Sequence, residues 1–240
     1  METAVREPWR RDPRYGVYVA ALGLAVTAFV VLALLGIVAP GFIKLDASVS
    51  AWVRSLANPT LDRIAIGFTV FGDVTVMTIL TVVTALALWL KRRHAEALLL
   101  AATVALGTGI GQVLKLVVRR SRPAIEYARV AVPDSYGFPS GHALASLVFF
   151  GVIVFLLMTT ESKLSLRART TLALVCALVV LSVSMSRVYL GVHYMSDVIG
   201  GWLVGFVVLN SALLTFIRRW QGSTAAAGVP PVRGNEYHSL

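Results

Sequence analysis

The sequence predicts an all-α protein, a bundle of six transmembrane helices with a short interfacial helix between the first two. Three observations carry that expectation. At 57% hydrophobic residues, 14% charged residues and a mean hydropathy of +0.78, the 240-residue chain is too apolar for a soluble domain. Its apolar runs are long enough to cross a hydrocarbon core of roughly 30 Å at roughly 1.5 Å per helical residue. Its basic residues, which bring the net charge to +10, stand in short groups flanking those runs. Such grouping suits topology signals and anionic lipid heads, and it argues against nucleic acid as the partner.

The elements follow in order. Arg6, Arg10, Arg11 and Arg14 precede an uncharged run from Tyr15 to Ile43. The run exceeds the apolar region of a cleaved signal peptide and has no small-residue cleavage site near its end, so it is the first span, closed by Pro40 and Gly41. Residues 44–63 repeat Val49, Trp52, Val53 and Leu56 at helical spacing. They predict a helix lying in the interface, with Asp46 as its cap and Trp52 at headgroup depth. The later spans are expected over 64–90, 95–118, 142–158, 171–188 and 196–217. Gly107 with Gly111, and Gly201 with Gly205, have the small-xxx-small spacing of close helix packing. Cys176, the single cysteine, lies in an apolar run and reads as a packing residue.

These spans divide the chain into an N-terminal segment (1–14), a membrane domain (15–217) and a tail (218–240) expected to be disordered from Gln221. Six crossings put both termini on one side. That side holds thirteen of the 22 Lys and Arg residues, namely Arg6, Arg10, Arg11, Arg14, Lys91, Arg92, Arg93, Lys163, Arg167, Arg169, Arg218, Arg219 and Arg233. The termini are therefore expected in the cytoplasm, with segments 44–63, 119–141 and 189–195 facing outward from a plasma membrane.

Three outward segments carry the chemistry. Ser186–Asp197 places Arg187, His193 and Asp197 within one short, largely apolar stretch. Arginine is a bidentate fork for phosphate, histidine a nucleophile or proton carrier, and a carboxylate four residues later can hold one imidazole tautomer. Lys115 sits among apolar neighbours near the end of the third span, where a charge is expensive and usually functional. Seven residues on, Arg122 can converge with it if the helix ends between them, as Pro123 and the charged run suggest. Arg119 and Arg120 read as an ordinary basic helix end snorkelling to the interface. In Phe138–His142, Ser140 is a natural N-cap, Gly141 admits close backbone approach, and the free N–H groups of a helix start favour an anion. Three cations, two neutral donors, His142, His193 and one carboxylate on one membrane face point to phosphoryl transfer. Asp73 reads as a capping or packing residue, and His94 and His238 lie far from the site.

With those residues in place, the sequence resembles the type 2 phosphatidic acid phosphatase superfamily, in its bacterial membrane lipid phosphatase branch. The three signatures are KLVVRRSRP (115–123), PSGH (139–142) and SRVYLGVHYMSD (186–197), in order and without departure at a motif position, and the resemblance covers about 15–217. It implies that Lys115, Arg122, Ser140, Gly141 and Arg187 hold the phosphate. It also implies that His193 attacks phosphorus, that Asp197 orients it, and that His142 protonates the leaving group and then activates water. No metal or other cofactor is implied, and three nearby cations would repel a divalent ion at His142, His193 and Asp197. The implied partners are the bilayer and a lipid phosphate, with polyprenyl diphosphate first and phosphatidylglycerol phosphate or phosphatidic acid as the alternative. A gap between helices near the interfacial segment is the expected access route for the lipid. Vanadate-dependent haloperoxidases share the site but are soluble. A transporter would spread ionisable residues across membrane depth, whereas here they cluster at one face. Intact motif residues argue against a silent lipid-binding protein.

Overall fold

The computed structural model describes residues 13–159 and 164–226, with side chains from 16 to 218. Among these residues all regular structure is helical. Helix α1 (Pro13–Val38) stops where Ala39 takes the extended conformation required before a proline, and Pro40 occupies the first turn of α2 (Pro40–Ser55). Pro40 and Gly41 thus start a helix as well as ending the first span. The expected single interfacial helix over 44–63 is two helices: α2, and α3 (Pro59–Thr69), which is capped by Asn58 accepting from Thr60 and Leu61 N–H. Asp46 caps nothing. It lies inside α2 with Ser50 on a buried polar face, while Trp52 and Leu56 point outward.

The second span also differs from expectation. A 3-10 turn (Val70–Gly72) separates α3 from α4 (Val74–Leu90), and the two helices are bent by 53°. Asp73 caps α4, accepting from Thr75 N–H at 2.9 Å and Val76 N–H at 3.3 Å. Gly72 permits the bend: a Cβ there would stand 2.5 Å from Val183 and 2.8 Å from His142. Five helices are long and apolar enough to cross a membrane, and the bent pair supplies a sixth if counted as one.

The remaining helices are α5 (His94–Val118), α6 (Gly141–Thr159), α7 (Leu166–Tyr189) and α8 (Met195–Ala226). The last of these runs past the expected boundary at 217 and carries helix beyond Gln221. The rest of the tail with His238, most of the N-terminal segment, and Lys163 lie outside the described residues. Helix α6 is the central post. Its Leu144, Val148, Phe149, Val152 and Leu156 pack against α4, α5 and α8, including Met77, Leu100, Val104 and Val208. The glycine pairs work as their spacing predicts: Gly107 and Gly111 lie against Leu144, Gly201 against the Ser140 carbonyl and Gly205 against Leu147. Outward-facing Leu24, Leu90, Val117 and Leu178 are exposed, as suits a lipid-facing surface. Cys176 is half-buried on α7 and free. His94 lies against Trp89 at the other end of α5 from Lys115.

Candidate active site

The site forms where α5 ends, α6 begins, α7 ends and α8 begins, with the α3–α4 bend alongside. The end of α5 is set by Arg119, whose φ of 52° is left-handed and which returns its N–H to the Lys115 carbonyl. That turn lets Lys115 and Arg122 converge as expected. Lys115 Nζ donates to the Tyr136 carbonyl at 2.6 Å, and Arg122 Nη2 donates to the same oxygen at 3.4 Å. Arg122 is fixed further by the Ser135 carbonyl (2.8 Å), Ser135 Oγ (3.0 Å) and the Val192 carbonyl (2.9 Å).

His193 is buried at 1% exposure in the turn between α7 and α8. Its Nδ1 lies 3.2 Å from Asp197 Oδ2, and its Nε2 lies 3.0 Å from Arg122 Nη1. A guanidinium only donates, so Nε2 must be the accepting nitrogen and the proton belongs on Nδ1, facing the carboxylate. Two neighbours thereby select one tautomer. Burial, then the charges of Arg122, Arg187 and Lys115, hold the His193 pKa well below its ordinary 6.5 and keep the ring neutral. A neutral imidazole with its lone pair on Nε2 is the form that can attack phosphorus once a phosphate takes over the Arg122 guanidinium.

Arg187, in the last turn of α7, donates Nη1 to Thr69 Oγ1 at 2.7 Å, while its buried Nε has no hydrogen-bond partner. Ser140 was expected as a cap, but its fully buried Oγ also lacks a partner. Its backbone N–H donates to the Asp197 carbonyl at 2.8 Å. Two orphaned donors beside a helix N-terminus are the arrangement a phosphate oxygen satisfies. Lys115, Arg122, Gly141, His142, Arg187 and His193 all line one cavity of about 140 Å³, whose other wall is apolar and includes Val74, Met77, Val104 and Leu144. Ser140 and Asp197, the other two residues predicted from the sequence, stand next to that lining, Ser140 beside Gly141 and Asp197 against His193. Among the described residues no group of three His, Cys, Asp or Glu side chains could hold a metal ion.

The sequence reading of Arg120 is overturned. Far from snorkelling, Arg120 is buried behind the site. Its Nη1 donates to Asp197 Oδ1 at 2.8 Å and to Ser196 Oγ at 2.5 Å, and its Nη2 donates to Asp46 Oδ2 at 2.7 Å. Ser196 Oγ and Ser196 N–H also bond Asp46. The reason is the left-handed Arg119, which turns the chain so that the next side chain points into the bundle. Asp46, expected as a cap of the interfacial helix, is instead the second carboxylate on Arg120. Its one further signal in the sequence was its place as the single acidic residue of the amphipathic α2.

Residues 96–221 match the family model of the PAP2 superfamily. The chain is 27% identical over 163 residues to phosphatidylglycerophosphatase B of Bacillus subtilis, covering 68% of this chain and 79% of that one. It is 36% identical over 127 residues to undecaprenyl-diphosphatase of Sulfolobus acidocaldarius, covering 51% of this chain and 56% of the archaeal one, so that this match spans about half of the relative. The fold is similar to the crystal structure of a transmembrane PAP2-type phosphatidylglycerolphosphate phosphatase from Bacillus subtilis. The TM-score is 0.74 at 23% identity, covering 89% of this chain and 99% of that one.

Proposed function

The chain belongs to the PAP2 superfamily, and from that premise we propose that it is an integral membrane lipid phosphatase working through a phosphohistidine. The observation that carries this reading is the His193 geometry, with Nδ1 on Asp197 and Nε2 turned to a cavity holding three cations. In the first step His193 Nε2 forms a bond to the terminal phosphorus as the bond from that phosphorus to the leaving oxygen breaks, the bridging oxygen in a diphosphate or the ester oxygen in a lipid monophosphate, and a protonated His142 gives that oxygen its proton. In the second, His142 takes a proton from water, the hydroxide bonds phosphorus, the phosphorus–nitrogen bond breaks and phosphate leaves. Lys115, Arg122, Arg187, Ser140 Oγ and the Gly141 backbone stabilise the charge on the equatorial oxygens.

The substrate reading follows from the shape of the cavity, charged at one end and apolar along the α4–α5–α6 wall. Such a cavity suits a phosphate on a lipid tail. Polyprenyl diphosphate is the favoured substrate, supported by the archaeal undecaprenyl-diphosphatase relative. Phosphatidylglycerol phosphate or phosphatidic acid is the second reading, favoured by the more extensive Bacillus match. With the α3–α4 pair counted as one crossing, the chain spans six times. The distribution of Lys and Arg among the loops supports cytoplasmic termini and a site on the outer face.

Phosphate release by the detergent-purified protein, in excess EDTA, tests this. The panel is polyprenyl diphosphate, phosphatidylglycerol phosphate, phosphatidic acid and a soluble phosphate ester, each beside His193→Ala. Release from a lipid that survives EDTA and disappears in the variant is the expected result, and the substrate ranking chooses between the two readings. Release retained by the variant, or none from any lipid, would overturn the phosphohistidine reading.

A further inference from the structure

Behind Asp197 lies a set of charges that the chemistry so far described does not use. Arg120 bridges two buried carboxylates, Asp46 from α2 and Asp197 from α8, with Ser196 bonded to both Arg120 and Asp46. All four side chains are buried. The guanidinium is clamped from two further directions. The Tyr194 ring lies 4.7 Å from its centre, and Gly36 of α1 lies so close that a Cβ there would stand 3.3 Å from Arg120 Cζ. Three separated segments, α1, α2 and the stretch from Tyr194 to Asp197, thus fix one side chain, and one side of the guanidinium faces the carboxylate that holds the nucleophile.

We propose that Asp46 and Arg120 are positioning residues for the hydrolytic reaction, acting through Asp197 on His193. The proposal rests on His193 being the nucleophile. Arg120 occupies Asp197 Oδ1, and the Tyr194 N–H, at 2.9 Å, and His193 share Oδ2, so the carboxylate has one orientation available to it. Charge balance gives Asp46 its part. Two carboxylates share one guanidinium, so the array carries one surplus negative charge while His193 is neutral. As the Nε2–phosphorus bond forms and the phosphorus–oxygen bond breaks, the ring keeps its Nδ1 proton and becomes cationic. The surplus is then cancelled within the array. In a buried, low-dielectric setting this favours the phosphorylated imidazolium over the resting ring. Arg120 alone would leave the array neutral at rest and positive at the intermediate.

The pair makes no contact with the phosphate cavity, so its loss is expected in kcat and not in KM. For Asp46→Asn, with full-length protein in detergent and the best lipid of the panel above, kcat should fall roughly 10- to 100-fold, the range in which remote misplacement is felt at a reacting centre. KM, and inhibition by inorganic phosphate, should stay within about twofold. A purely structural role is separated by a cycle with Asp197→Asn. If Asp46 acts through Asp197, Asp46→Asn has little further effect in that background, whereas independent damage multiplies. Should Asp46→Asn fail to give monodisperse protein, Gly36→Val asks the same question by pressing on the guanidinium, and the same selective loss of kcat is expected. Unchanged kcat in the folded variant, or multiplicative losses in the cycle, would overturn the proposal while leaving the phosphohistidine reading intact. Activity retained by His193→Ala would instead remove the reading on which it rests.

Discussion

The three cations on the cavity side of His193 and the single cation behind it are treated in opposite ways. On the cavity side, Lys115, Arg122 and Arg187 are held by the carbonyls of Tyr136, Ser135 and Val192 and by hydroxyl oxygens. None of these cations is in an ion pair among the described residues. Behind the ring, Arg120 has two carboxylates at 2.7 and 2.8 Å. Neutral acceptors fix a guanidinium in space without consuming its charge, which leaves that charge for an incoming anion. Carboxylates consume it, and the side chain becomes a strut. The same residue type therefore serves binding or positioning according to the charge of its partners.

The largest expected contrast is in stability against activity. Arg120→Met leaves Asp46 and Asp197 buried without their counterion and should destabilise the protein by about 3–5 kcal/mol, read as a fall in thermal midpoint in detergent. Arg187→Met removes a cation from a mutually repelling group. It should cost about 10²- to 10³-fold in kcat, the size typical of one lost charge-stabilising donor, with no loss of thermal midpoint. Equal destabilisation by both variants would show that carboxylate pairing does not set Arg120 apart from the cavity cations.

A smaller effect sharpens the cavity side. The proposed mechanism uses His193 as the neutral ring, and burial with the neighbouring cations holds its pKa well below 6.5, so lowering pH through 6.5 does not yet protonate it. The acid limb of kcat/KM due to this group should therefore lie well below pH 6.5. Arg122→Met removes the charge that contributes most after burial and should move that limb upward. Dividing the variant's profile by that of the unaltered protein cancels ionisation of the substrate, and a flat ratio would count against the electrostatic account. The smallest effect belongs to a pair outside both groups. Arg129 and Asp62 meet at 2.6 Å with about a third of each side chain exposed. Arg129→Gln should change stability by less than about 1 kcal/mol, and a larger loss would show that exposure is a poor guide to these pairs.

Local sequence was enough to locate α5 to α8 to within a few residues, except for the start of α7 and the end of α8, and it also picked out the packing glycines and the eight residues that meet at the site. These are properties of short stretches: apolar length, i to i+4 spacing, and motifs whose members lie within about a dozen residues of one another. Tertiary structure decided the rest. The bend at Gly72 depends on room between Val183 and His142, and the orphaned Ser140 hydroxyl depends on what α8 places beside it. Arg120 reads as a surface charge because its local neighbours are basic, while its partners lie 74 residues before it and 77 after. A buried charge is tolerated only where opposite charge is brought to it, and only the folded chain brings Asp46 there.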